Sequence, residues 1–307
     1  MMRQRLSISA IAATLLVGVP VTLAAQQIQG RSERTFSVSE RVAAGGVVNI
    51  YAAIGDITIT EGSGNTMEFR AEKDVRRGEL EDVGFVVLRD AGGVTICAVM
   101  SEDDECDADG LNTESRSRWT RGNRSIKLAI TVKVPRGTRL RTTSGNGDIA
   151  ATAALAEARI RSGNGRVKVS GVSGSVDAST GNGEVTVDGT GGPVKARSGN
   201  GDVTIGTVNG PVSASSGNGD IRVSMERLTG SGDLEFSSGN GRIVVEVPAD
   251  FSAEVEANSG NGRVTTDFPI TIKGRLTPSR LRGTIGNGGR LLRMHTGNGT
   301  MEIRKRA

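Results

Sequence analysis

Apolar and polar residues alternate with period two along most of this chain, and glycine-rich turns cut the alternation into short runs. Phe36 and Val38, Val48 and Ile50, Ile57 and Ile59, and Met67 and Phe69 mark strands between residues 34 and 72. Val86 to Leu88 and Val94 to Cys97 predict two more. Ile126, Leu128, Ile130, Val132 and Val134 form an unbroken alternating strand that ends at Pro135, whose missing N–H cannot join a ladder. Between Ser101 and Asn123 the chain is polar and without an apolar period, which predicts a long loop.

From Leu140 the pattern becomes periodic. Gly-Asn-Gly occurs nine times, centred on Asn146, Asn164, Asn182, Asn200, Asn218, Asn240, Asn261, Asn287 and Asn298. The first five copies are 18 residues apart, and the later gaps are 22, 21, 26 and 11. A fixed period of this size is the signature of a stacked repeat. Three residues after the asparagine stand Ile149, Val167, Val185, Val203, Ile221, Ile243 and Val264, and five after it Val169, Val187, Ile205, Val223 and Val245. Upstream, Val176 and Ala178, Val194 and Ala196, and Val212 and Ala214 recur at fixed slots. Each unit therefore reads as a strand, a Gly-Asn-Gly corner and a second strand. Ser or Thr precedes the corner in eight copies, with a hydroxyl suited to satisfying turn backbone. Copies eight and nine are irregular, since Ile285 replaces the hydroxyl and Arg290 takes an apolar slot; they are expected to cap the end of the array.

The expected fold is all-β, a β-solenoid of 18-residue-class repeats with an N-terminal β-rich capping region. The alternative is a meander of β-hairpins, because Asn-Gly is a strong hairpin signal. Recurrence of the same residue kind at the same slot favours the solenoid, where like stacks on like. Gly55-Asp56-Ile57-Thr58-Ile59 matches Gly201-Asp202-Val203-Thr204-Ile205, so the N-terminal part reads as a degenerate piece of the array. The expected divisions are a leader at 1–25, a β-rich region at 26–138 and the repeat array at 139–307.

Composition narrows the picture. Aromatics make up only 3% against 44 glycines, so the core is expected to be thin and built from Val, Ile and Ala. The net charge of +4 includes Arg3 and Arg5, and the remainder is too balanced for a nucleic-acid partner. Those two arginines, the apolar run Leu6 to Leu23, and Ala24 and Ala25 resemble a secretory signal peptide, so export to the periplasm, cell surface or medium is expected, with no membrane span after cleavage. Cys97 and Cys106 read as a structural disulfide in an exported chain.

Sites of chemistry are sparse. The residue after each corner is Asp148, Arg166, Glu184, Asp202, Asp220, Arg242 or Arg263, and arginines there oppose a calcium cage and point to charge pairs between coils. The acidic stretch Glu102 to Asp109 partly mimics the start of a calcium loop, but Arg116 stands where the closing carboxylate belongs. The corner leads into a strand and lacks the lysine and helix of a phosphate loop. His295 is the only histidine and has no neighbouring carboxylate in sequence. No cofactor or metal is implied.

Val132-Lys133-Val134-Pro135 followed by Ser-Gly-Asn-Gly-Asp-Val-Thr-Ile units resembles the bacterial putative-adhesin domain family, whose function is unknown. The likeness spans roughly residues 34–307 and is most specific in 130–265. It implies an exported solenoid and supplies no catalytic residues. The expected function is a non-enzymatic adhesin or envelope scaffold whose partner is a cell-surface, envelope or glycan ligand. The competing expectation is a carbohydrate-active enzyme using carboxylates of neighbouring coils, such as Asp202 and Asp220.

Overall fold

In a computed structural model the chain is described over residues 26–90, 92–113, 125–274 and 277–306. The leader at 1–25 and the loop residues Arg116 and Trp119 lie outside these ranges. Within them, strands gather into a sheet of 14, a sheet of 12 and a two-stranded pair. The long sheets consist mainly of parallel strands contributed by successive coils.

One coil runs from Glu157–Asn164 in the first sheet, around the corner, to Val167–Val172 in the second. The next repeats it with Val176–Asn182 and Val185–Thr190. Equivalent strands pair in parallel with no slip: Val176 lies opposite Val194, Ala178 opposite Ala196 and Asn182 opposite Asn200. In the second sheet Val185 faces Val203 and Val187 faces Ile205. Hairpins would have paired antiparallel across each corner, so the repeat is a solenoid. Backbone bonding continues through the turn, for example Gly165 N to Asn182 O at 2.8 Å and Val167 N to Glu184 O at 2.9 Å.

The second glycine of the corner is required. Gly165 sits at φ +148°, and a Cβ there would run into the carbonyl of Gly147 in the preceding coil. Between the two sheets, the Val, Ile and Ala slots predicted from sequence are buried, including Val169, Val187, Ile205, Ala178 and Ala196, except that Val264 is half-buried. Each buried valine contributes on the order of 1.5–3 kcal/mol of transfer free energy. Leu155, Val172, Val208 and Met225 close the core at the far corner.

The stack extends before the first Gly-Asn-Gly. Val47–Ile54 pairs in parallel with Arg139–Asn146, placing Ile54 opposite Asn146, and Asp56–Glu61 pairs with Ile149–Leu155. Gly55-Asp56 is thus a corner without its asparagine, and strand pairing runs unbroken across residue 138. Gly93–Val99 and Ser125–Val134 add one more coil, whose corner is replaced by the polar loop. Antiparallel strands Gly84–Asp90, Thr66–Arg77 and Thr35–Arg41 then close this end.

The other end departs from expectation. Copy nine is not a terminal unit. Leu291–Asn298 lies between Leu234–Asn240 and Ala253–Asn261, parallel to both, and Met301–Lys305 lies between Ile243–Val247 and Val264–Thr266. The chain skips a coil position, turns back through Ile270–Ile272 and Arg280–Ile285, and fills the vacant position last. Arg280–Ile285 pairs antiparallel with Ala253–Asn261 and forms the actual cap of the first sheet with Ile270–Ile272. Copy eight is no corner either: Gly286-Asn287-Gly288 turns the chain between these segments, with both glycines at positive φ.

Both ends of the thin core are filled by aromatics. Phe36 and Phe85 stack at 4.7 Å, and Phe69 meets both edge-on at 6.2 and 5.8 Å. Phe251 and Phe268 pair at 6.0 Å at the opposite end. Beside the first cluster lies a buried cation. Lys73 Nζ donates to the carbonyls of Gly30 and Val83 at 2.6 Å and of Arg31 and Leu80 at 2.9 Å, tying the N-terminal strap to the turn at 80–83. Burial lowers its pKa to about 8, although Glu81 and Glu33 pull the other way.

Two outcomes follow. Deleting residues 291–307 should abolish amide protection in 253–285, although those residues remain, while protection across 139–218 persists; hydrogen exchange measures this, and retained protection in 253–285 would contradict the inserted coil. For Lys73, the unfolded chain keeps its proton up to about pH 10.5 and the folded chain releases it near 8, so wild-type stability should rise with pH between those values. Lys73→Met should lose that rise and roughly 2–4 kcal/mol, because four carbonyls lose their donor. Denaturation at several pH values reads both.

Candidate functional site

The corners form a continuous side-chain ladder. Asn164 Nδ2 donates to Asn146 Oδ1 at 2.7 Å, and the same bond links Asn182 to Asn164, Asn200 to Asn182, Asn218 to Asn200 and Asn240 to Asn218 at 2.7–2.8 Å. The ladder then passes to Asn298 and ends at Asn261, following spatial rather than sequence order. Asn287 takes no part in it. The hydroxyls before the corners also reach between coils: Ser162 Oγ donates to Gly147 O, Thr180 Oγ1 to Gly165 O and Ser198 Oγ to Gly183 O, at 2.8–2.9 Å. These hydroxyls do satisfy turn backbone, but that of the coil before rather than of their own turn.

The charged slot after each corner is also occupied by structure. Asp148 Oδ1 accepts the Arg166 amide at 2.7 Å, and its other oxygen takes the guanidinium at 2.8 Å. The Arg166 amide holds the Asp148 pKa below its usual value, and the guanidinium adds to this. Asp202 Oδ1 accepts from the Asp220 amide and Asp220 Oδ1 from the Arg242 amide, both at 2.8 Å. Arg222 bridges the remaining oxygens of Asp202 and Asp220 at 3.3 and 2.6 Å. The carboxylates that a hydrolytic reading would use are therefore tied into the frame. Among the described residues, no three His, Cys, Asp or Glu side chains gather in a way that could hold a metal.

Cys97 and Cys106 are joined, with their Cα atoms 6.0 Å apart. Closing this loop is worth roughly 2–3 kcal/mol in the chain-entropy account. With Tyr51, Val86 and Val99 they make a second small core on the outer face of the 14-stranded sheet, which the loop covers. Tyr51 Oη donates to Ala108 O at 3.1 Å, and the Cys106 amide donates to Gln26 Oε1 at 3.1 Å. In the acidic stretch, Asp104 accepts the Met100 and Ser101 amides and Asp107 those of Asp109 and Gly110, so both carboxylates shape the loop.

What remains open is the outer face of the array, where in-register pairing arranges side chains in straight rows. One row runs Arg141, Arg159, Asp177, Lys195, Ser213, then Glu235, Arg293, Glu256 and Arg282. Its later half alternates in sign, with Arg293 and Arg282 both paired to Glu256. The adjacent row begins Thr143, Arg161, Ser179, Arg197 and Ser215 and continues through Ser237, His295 and Asn258. It contains hydroxyls, an amide, cations and the sole histidine, and no carboxylate. These rows carry no repeat signature, so sequence period alone does not point to them. A depression of about 460 Å³ beside Arg34, Asp56, Glu72 and Lys127 mixes both signs and has no aromatic wall.

A family model described as Toastrack DUF4097 matches residues 110–304. Among solved structures, the chain is similar to a putative adhesin from Parabacteroides distasonis ATCC 8503, with 14% identity over 89% of this chain and 98% of that one and a TM-score of 0.43. A putative lipid binding protein from the same strain has 10% identity over 89% and 97% at 0.42, and a putative adhesin (BF0245) from Bacteroides fragilis NCTC 9343 has 12% over 90% and 99% at 0.38. No curated protein matches the chain. With coils, corners and matched segment coinciding over most of its length, the chain belongs to the Toastrack DUF4097 family.

Proposed function

We propose that this protein is an exported, non-enzymatic binding scaffold of the cell envelope, acting as an adhesin through the outer face of its coil stack. One observation carries the reading: the repeated residues are consumed by the frame, while the residues that vary from coil to coil stand in ordered rows on a long, regular surface. A frame fixed by backbone and corner bonds can display a binding surface without an ordering cost at the moment of contact. The secretory-type leader and the joined cysteines support an oxidising, exported location.

The carboxylates best placed by sequence for hydrolysis, Asp202 and Asp220, accept backbone amides and a shared arginine, which supports a framework role for them. The processed protein, immobilised, is expected to capture whole cells, envelope fractions or glycans, and to release no reducing ends from a polysaccharide panel. Failure to retain any of these would sink the adhesin reading. Turnover abolished by Asp202→Asn or Asp220→Asn would establish the enzyme instead.

A further inference from the structure

We infer that the acid-free row on the outer face of the 14-stranded sheet is a lane for a linear acidic polysaccharide; the inference rests on the scaffold reading above and names its partner. Thr143, Arg161, Ser179, Arg197, Ser215, Ser237, His295 and Asn258 follow one another on eight neighbouring strands. At about 4.8 Å per strand the lane runs for roughly 34 Å. Arg161 and Arg197 are exposed and have no ion pair among the described residues. Ser179 lies half-buried between them, with Thr143 and Ser215 on either side. A row of this kind offers charge for carboxylates or sulfates and hydroxyls for sugar oxygens.

The neighbouring row adds to the same charge. Arg141 stands directly opposite Arg159, and Lys195 follows beyond Asp177. Like charges facing one another across strands are destabilising by roughly 0.2–1 kcal/mol. Farther along the same row Glu235, Arg293, Glu256 and Arg282 alternate and balance, whereas at the near end Asp177 pairs with Arg159 at 3.8 Å and leaves Arg141 and Lys195 without an ion pair among the described residues. This cation-rich end lies beside the acidic loop, whose Asp107 and Asp109 are close enough to act on Tyr51 together with Arg141 and Arg159. A polyanion along the lane would relieve the repulsion.

Two features favour a glycan chain over a charged bilayer. The lane is one side chain wide and straight, which fits a linear polymer. Ile272, at the far end, is the only large hydrophobic residue exposed among those described, so the lane offers no apolar anchor for a membrane. The scarcity of aromatics on this face places recognition in charge and hydrogen bonding rather than in ring stacking.

The test measures binding of polygalacturonate to the processed full-length protein, with neutral dextran and phosphatidylglycerol vesicles in parallel. Wild type is expected to bind polygalacturonate, more weakly as salt rises. Arg161→Glu with Arg197→Glu should weaken it about tenfold or more, whereas Lys168→Glu with Arg242→Glu, an equal charge change away from the lane, should leave it nearly unchanged. If the first pair fails to fold, Arg161→Gln with Arg197→Gln reads the same loss. Absent binding to polygalacturonate, equal loss in both pairs, or a preference for vesicles would overturn the inference. Capture of cells or dextran that ignores the lane substitutions would also overturn it, while leaving the scaffold reading in place.

Discussion

Continuity of hydrogen bonding through the Gly-Asn-Gly corner is the constraint on which this molecule depends. A sharp turn would ordinarily interrupt the inter-coil ladder and leave polar backbone without partners at a cost comparable to lost hydrogen bonds. Here the glycines let successive turns stack so closely that a Cβ on one would collide with the carbonyl of the turn before. The asparagine amides bond along the stack, and the preceding hydroxyl donates to the glycine carbonyl of the coil before. These bonds hold the register through the corner on both sheets, and in the second sheet it shifts only farther along, beyond Thr152 and beyond Ile205. Like therefore stacks on like, the core stays as thin as Val, Ile and Ala allow, and outward side chains fall into straight rows.

A stack built this way has a difficulty at each end, because a terminal coil buries only one side. Antiparallel strands cover the first sheet at both ends, and clusters of phenylalanine fill the wider core they enclose. At the N-terminal end Lys73 ties the strap to the cap through four carbonyls. At the other end the chain leaves a coil position vacant, builds the cap, and then returns to fill it. The last segment is consequently bonded on both sides in both sheets.

Much of this was legible in the sequence because repeat chemistry is local. The period, the buried slots and the reason for glycine and asparagine at the corner all follow from residues within one unit. Spatial order does not. Asn298 has the same tripeptide as Asn261, and nothing in the spacing says that it precedes Asn261 in the stack. The turn at Asn287 carries a signal, since Ile285 stands where each Gly-Asn-Gly corner has a hydroxyl, but the signal marks an irregular copy without saying that the chain turns back there. Lys73 had one too: it occupies the inward parity of Met67, Phe69 and Ala71. Its partners come from residues 30, 31, 80 and 83, which no local pattern connects. The acid-free row arises only once the register is known, because its members are a full coil apart.

The corner account is tested most directly by comparing two identical tripeptides in different surroundings. Asn200 lies mid-ladder, bonded to both Asn182 and Asn218, whereas Asn287 lies in an exposed turn outside it. Equilibrium unfolding of Asn200→Ala is expected to show a loss of roughly 1–3 kcal/mol, with Asn287→Ala within about 0.5 kcal/mol of wild type. Equal effects at the two positions, or a larger one at Asn287, would contradict the account.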